Sequence, residues 1–372
     1  MSEYRLISSD SHIYEPPDLW EKRIDPKFKN RAPYLSHEAS TDQWYADGDV
    51  KFGIVGVNQQ AGLRFDRPQE IADEGRYSNA PLGGMDPHAH VRDLDIDTVA
   101  GDILYPSMGL TVWRVPDSEL LSAIFRAYND WLSDFCKPYP NRLKGLAMVN
   151  VDDIGDAVKE LHRAANLGLV GAIIPLSQME RRYNHLDYEP LWAAAQYLEM
   201  PLSLHTATVR WGPNNNYVEE MEDDLVIQTN TDGLVRASIV DIIFSGVFER
   251  YPRLKVGAIE FEVAWAPYFM RRMDNTYEER PSGLKGYRFK EGGLPSDFFR
   301  SNVFISFQED DLGIQLRHYV GVDNLLWGSD YPHAESTFPK SREIVDQILE
   351  GIPEDEKRKI AGENAAKLYG FK

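Results

Sequence analysis

Short runs of aliphatic and β-branched residues recur along the chain. Most are followed by a segment whose apolar residues repeat at helical spacing. The first run is "RLISSD" (5–10); the second, "DILYPS" (102–107), leads into "SELLSAIFRAYNDWLSDFC" (118–136). "LKGLAMVNV" (143–151) precedes "DAVKELHRAANLG" (156–168), where Ala157, Leu161, Ala164 and Ala165 mark one helix face. "GAIIPL" (171–176) is followed by a helix over 188–199, and "PLSLH" (201–205) by one over 233–252. "LKVGAIE" (254–260) precedes 264–279, and "NVFISF" (302–307) precedes 311–321. "NLLWGSD" (324–330) comes last, with helices expected over 339–350 and 354–369. Strands alternating with helices indicate parallel βαβ units, and eight of them favour a (β/α)8 TIM barrel. An open doubly wound sheet is the alternative, but no glycine-rich fingerprint follows the first strand.

Residues 21–100 break the pattern, being rich in Pro, Gly, Asp, Asn and aromatics. They read as a long insertion after strand 1 that caps the barrel mouth, inside a single domain spanning 1–372. Trp20, Trp44, Trp113, Trp211 and Tyr14 fall on the expected mouth loops. They read mainly as packing anchors, with one or two lining an aromatic-tolerant pocket. "NNNY" (214–217) reads as part of a mouth loop.

Length and composition support this picture. At 372 residues, with 42% hydrophobic and 12% aromatic residues, the chain can fill one large barrel. Its formal charge of −19 argues against nucleic acid or an anionic membrane as partner. The lone cysteine, Cys136, excludes an intramolecular disulfide and reads as a buried small hydrophobe at a helix end. "MSEYRLISSD" lacks a basic-plus-apolar leader pattern, and no apolar run of about 18 residues occurs, so a soluble cytoplasmic protein is expected.

Chemistry in such a barrel sits at the C-terminal ends of the strands. Strand 1 ends in Asp10 and His12, with Glu15 just behind; strand 5 ends in His205 and strand 6 in Glu260. Strand 8 ends in Asp330, followed by His333. Alone, a histidine there is ordinarily a hydrogen-bonded core residue, and an aspartate a turn or helix cap. Together they would cost several kcal/mol in desolvation and like-charge repulsion unless a cation joins them. A divalent ion removes that cost. Imidazole and carboxylate without thiolate suit Zn²⁺, Mn²⁺ or Fe²⁺. His37, His162, His185 and His318 read as solvated or packing residues.

"SSDSHIYEPPDLW", "LYPSMGL", "PLSLH", "GVFERYPRLKV", "WAPYFMRRMD" and "LLWGSDYPH" together resemble the amidohydrolase superfamily. Within it they are similar to the amidohydrolase-related branch that includes aminocarboxymuconate-semialdehyde and resorcylate decarboxylases. The resemblance implies one divalent ion held by Asp10, His12, His205 and Asp330. Most members open with His-x-His; Asp10 stands at the first of these positions, and the resorcylate-type members similarly open with an acidic residue. Where many members carry a strand-6 histidine, Glu260 is the nearest match, with Glu262 as its rival. Asp330, His205, Glu260 and His333 are the implied catalytic residues, and homodimers are common in the branch. His88-x-His90 mimics a metal motif but precedes the second strand, so it reads as a solvated cap segment. Beside it Arg92 suits an anionic substrate, because a guanidinium fork matches a carboxylate; Glu15 is the second candidate substrate contact.

Three activities remain open on this basis. The favoured one is non-oxidative decarboxylation of an aromatic or muconate-like carboxylic acid. The alternative is a hydrolase or hydratase whose metal-bound water attacks a lactone, amide or related group. A non-catalytic binding protein would leave the clustered carboxylates without a role.

Overall fold

The computed structural model describes residues 4–178, 181–210, 229–279, 284 and 286–372. Trp211 and residues 214–217 lie outside the described residues. Eight strands pair in sequence order, every neighbour parallel. They are β1 (Leu6–Ile13), β2 (Val99–Pro106), β3 (Leu143–Met148) and β4 (Gly171–Ile174), then β5 (Leu202–His205), β6 (Val256–Ile259), β7 (Val303–Phe307) and β8 (Leu325–Trp327). The two edges meet: the Asp330 amide donates to the Asp10 carbonyl (2.9 Å), and Ser9 Oγ donates to the Trp327 carbonyl (3.0 Å). The result is a nearly closed TIM barrel with helices around it.

The strands are apolar runs because both faces are covered. Every residue of β4 to β8 is buried. β1 is the exception in composition, not in burial. Its serines satisfy one another and their neighbours, Ser9 Oγ with Ser306 Oγ (2.7 Å) and Ser11 Oγ with Ser329 Oγ (2.9 Å). Between Ser8 and Ser11 the register against β2 slips, three steps on β1 answering two on β2. Such a bulge re-aims side chains, and here it falls on Asp10.

Several boundaries differ from the sequence reading. β1 does not stop at Asp10 but runs on to Ile13, so Asp10 and His12 project from the strand itself. The helix expected over 233–252 breaks at Ser245-Gly246 into Asp232–Phe244 and Val247–Arg250, and that over 311–321 breaks at Leu316. The last helix carries a π turn over Lys359–Glu363. There Gly362 lies so near β1 that a Cβ would come 2.4 Å from the Arg5 carbonyl oxygen.

Residues 21–100 hold more regular structure than their composition suggests. Tyr34–His37, Asp42–Ala46 and Val50–Phe52 form an antiparallel sheet, and Pro87–Asp97 is a helix. The segment lies against loops that leave the C-terminal ends of strands. Gly53 N–H donates to Thr111 Oγ1 (2.7 Å), Ala61 N–H to the Pro332 carbonyl (3.1 Å), and Val57 accepts from Ala334 N–H (2.8 Å). Trp20, Trp44 and Trp113 are each at most 1% exposed, so they anchor packing and line no open pocket. Trp20 and Trp44 meet edge to face at 5.1 Å. Burial pushes the Cys136 thiol up to about 12, which leaves it unreactive.

Candidate metal centre

The side chains at the C-terminal end of the barrel converge. His12 Nε2 lies 3.6 Å from Asp10 Oδ1 and 3.2 Å from Asp330 Oδ1. His205 Nε2 lies 3.3 Å from Asp10 Oδ1 and 3.4 Å from Glu260 Oε2. His333 Nδ1 is 3.0 Å from Asp330 Oδ1, and its ring stacks on that of His12 at 3.9 Å. Two overlapping sets of donor atoms result, Asp10–His12–His205–Glu260 and His12–Asp330–His333. Within each set all ligand atoms lie within 4.8 Å of one another.

The backbone decides which nitrogen each imidazole presents. His12 Nδ1 is 2.8 Å from the Pro106 carbonyl, and His205 Nδ1 is 3.0 Å from the Thr206 carbonyl. A carbonyl only accepts, so each Nδ1 carries a proton and each Nε2 is the nitrogen turned to the cluster, free to offer a lone pair to a metal ion once it is unprotonated. Second-partner hydrogen bonds of this kind orient metal-bound imidazoles. His333 is held from its far side by Ser107, whose Oγ is 3.1 Å from Nε2.

The electrostatics call for a cation. His12 Nε2 and Asp330 Oδ1 approach at ion-pair distance, yet both are buried without a directed hydrogen-bond partner. His205 Nε2 faces two carboxylate oxygens and can donate to only one of them. Buried polar atoms are rarely left so. A divalent ion fits this donor set, because it would satisfy the imidazole nitrogens and neutralise the carboxylates together. A cavity of about 50 Å³ opens here, lined by Asp10, Glu260, Glu262 and Asp330 together with Phe307, Gln308 and Gly328. Desolvation in the barrel mouth and the Asp330 and Asp10 charges push the Glu260 carboxyl well above the usual carboxylate range. Burial would also raise Asp330, but the His333 and His12 imidazoles beside it hold it below that range.

Backbone geometry marks the same ends. Asp330 has φ of 59°, Glu260 of 64° and Glu262 of 55°, left-handed values that side chains with a Cβ seldom adopt. Strain of this kind is concentrated at functional sites.

Two predicted substrate contacts sit elsewhere. Glu15 is fully buried, and its two oxygens accept from the Met108 (3.0 Å) and Gly109 (2.8 Å) amides. Its carboxylate is consumed in shaping the loop after β2. Arg92 is exposed on helix Pro87–Asp97, whose buried residues are Ala89, His90, Val91, Leu94 and Asp97, so its spacing turns it outward. His90 is not solvated either. It is fully buried between the Gly83 carbonyl (2.9 Å from Nδ1) and Asp102 Oδ2 (2.9 Å from Nε2). His37, His162, His185 and His318 are exposed.

The sequence reading overlooked the residues that hold the ligands. The Pro106 and Thr206 carbonyls have no side-chain signature. Ser107 lies in the quoted "LYPS" run, yet its contact with His333 spans 226 positions.

The family model described as amidohydrolase matches residues 86–371. A γ-resorcylate decarboxylase of Polaromonas sp. (strain JS666) is 26% identical over 276 residues, covering 69% of this chain and 79% of that one. Among solved structures, an amidohydrolase from Mycobacterium avium subsp. paratuberculosis K-10 superposes with a TM-score of 0.80 at 23% identity, covering both chains fully. A dihydroxybenzoic acid decarboxylase from Polaromonas sp. JS666, solved with bound manganese and the inhibitor 2-nitroresorcinol, gives 0.63 at 18% identity, covering 98% of this chain and 97% of that one. The matched model takes in most of the barrel, from the helix before β2 to the last helix, and on that match this chain belongs to the amidohydrolase family.

Proposed function

We propose that this chain is a metal-dependent, non-oxidative decarboxylase of a hydroxylated aromatic carboxylic acid. The observation that carries the reading is the convergence of Asp10, His12, His205, Glu260, Asp330 and His333 at the C-terminal mouth of the barrel. The names of its relatives supply the substrate class: γ-resorcylate and dihydroxybenzoic acid decarboxylases are similar to it in sequence and fold. The muconate-like alternative has weaker support, since a 2-amino-3-carboxymuconate-6-semialdehyde decarboxylase of Dictyostelium discoideum is 24% identical over 303 residues.

Asp10, His12, His205 and Asp330 would hold one divalent ion, for which Mn²⁺ is the first choice given the manganese in the Polaromonas structure. Such an ion supplies Lewis-acid stabilisation of charge developing on substrate oxygens and a template that orients the acid. The chain's own residues do the rest. His12 and His205 keep Nε2 inward because their Nδ1 protons are tied to the Pro106 and Thr206 carbonyls. Asp330 and His333, 3.0 Å apart, form the proton-handling pair that delivers a proton to the ring carbon as CO₂ departs. Ser107 keeps the His333 ring facing Asp330. No helix among the described residues is long and apolar enough to cross a membrane. We place the enzyme in the cytoplasm as a homodimer, the whole chain acting as one catalytic unit.

The test is CO₂ release from a panel of hydroxybenzoates by the Mn²⁺-loaded protein, with Asp330→Asn as control. Turnover by the native protein and a loss of about 10²-fold or more in the variant are expected. Cleavage of lactones or amides without CO₂ would overturn the decarboxylase reading in favour of a metal-activated water.

A further inference from the structure

One carboxylate of the cluster has no role in the scheme above. Glu260 is the first residue after β6, whose last residue, Ile259, pairs in register with His205 on β5. Its left-handed backbone takes the chain out of the strand direction at the barrel mouth. About a third of its side chain stays exposed (35%), and its Oε2 sits 3.4 Å from His205 Nε2.

Three facts single it out. First, its only ion pair among the described residues is with His205, and no lysine or arginine neutralises it there. Second, the His205 nitrogen it faces is already shared with Asp10 Oδ1, while the opposite nitrogen is committed to the Thr206 carbonyl. One nitrogen can serve only one of the two carboxylates, Asp10 Oδ1 at 3.3 Å or Glu260 Oε2 at 3.4 Å, and the other is left facing like charge unless a cation lies between them. Third, Glu260 belongs with Asp10, His12 and His205 to one four-atom set, whereas Asp330 groups with His12 and His333. Its neighbour Glu262 is occupied elsewhere, accepting from the Gln308 (3.2 Å) and Glu309 (3.3 Å) amides.

We infer that Glu260 is itself a ligand of the divalent ion, and that its carboxylate tilts the site's preference from Zn²⁺ towards the oxygen-seeking Mn²⁺. The inference rests on the metal reading of the cluster. With Glu260 counted, the shell is drawn from three carboxylates and two imidazoles, and carboxylate oxygen suits Mn²⁺ better than an imidazole-rich set does. In absolute terms Zn²⁺ still binds most N/O sites more tightly than Mn²⁺. The effect of Glu260 is therefore read in the ratio of the two affinities.

The test uses the full chain stripped of metal, and Mn²⁺ or Zn²⁺ alone as probe. Free Mn²⁺ is followed by electron paramagnetic resonance during titration, and Zn²⁺ affinity by competition with a chelating dye. Glu260→Gln is expected to weaken Mn²⁺ binding by about tenfold or more and to change the spectrum of the bound ion. Glu260→His, which exchanges oxygen for nitrogen, is expected to raise the Zn²⁺ to Mn²⁺ affinity ratio. Circular dichroism of the metal-free variants checks that both fold. If Glu260→Gln binds Mn²⁺ as the native protein does, with the same spectrum, Glu260 is no ligand although the ion site stands. If the native protein binds neither ion, the metal reading falls and this inference with it.

Discussion

The backbone amide of Asp330 donates to the carbonyl of Asp10 across 2.9 Å, joining residues 320 positions apart. This bond closes the seam of the barrel and sets two carboxylates side by side. Their charges repel, and among the described residues the basic groups that reach them are His12, His205 and His333. The seam therefore gains from a cation.

Metal binding should consequently stabilise the protein as well as activate it. Any ligand of the folded state alone adds RT ln(1 + [L]/Kd), about 2.7 kcal/mol at a hundredfold excess over Kd. Thermal unfolding of the chelator-treated protein is expected at a lower temperature, restored by Mn²⁺ addition. In Asp10→Asn the Mn²⁺-dependent rise should shrink. An identical melting temperature with and without the ion would argue that the cluster holds none.

Glu15 tests a different relationship. Its two oxygens accept the Met108 and Gly109 amides in a fully buried setting. Glu15→Ala leaves those two donors unpartnered, each costing roughly 1–3 kcal/mol. A drop of about 2–6 kcal/mol in urea-unfolding stability is expected. Because the same loop carries Ser107 to His333, kcat should fall with it. A raised KM with unchanged stability would instead return Glu15 to the substrate pocket.

Asp97 provides the pH test, away from the metal centre. Burial pushes its carboxyl up to about 7 from 3.8, although the Ser341 amide and hydroxyl both donate to it. Between those values the folded state keeps a proton that the unfolded chain has lost. Linkage then makes the slope of stability with pH negative. The contribution is fully present below about pH 4 and lost as pH rises through about 7. Asp97→Asn keeps an oxygen for the Ser341 amide and carries no titrating proton. The stability of the native protein relative to this variant should fall between pH 5 and pH 8 in urea titrations. A constant difference would mean that Asp97 is ionised throughout in the folded state.

Much of the barrel was legible because its signal is local. Apolar runs such as 171–176 and 254–260 stand out since strands covered on both faces cannot alternate. Asp10, His12, His205, Glu260 and Asp330 could be listed because each follows such a run. The antiparallel sheet of 34–52 escaped notice because its short strands face solvent unevenly and carry no clean period. The burial of His90 is hidden from the sequence for a related reason. Its partner Asp102 lies on the next strand, and a histidine–carboxylate pair made across elements has no spacing to betray it.

Sequence alone determined that eight strand-helix units follow one another and that imidazoles and carboxylates stand where those strands run out. Both are properties of neighbouring positions. Only the folded chain decided the rest: that Glu15 turns into a loop, that Arg92 faces water, that Glu260 and not Glu262 meets His205. Only it decided which nitrogen of His12 and His205 looks inward. Those outcomes depend on backbone carbonyls and amides brought up from distant strands, and every residue type carries the same backbone, so the order of side chains cannot announce them.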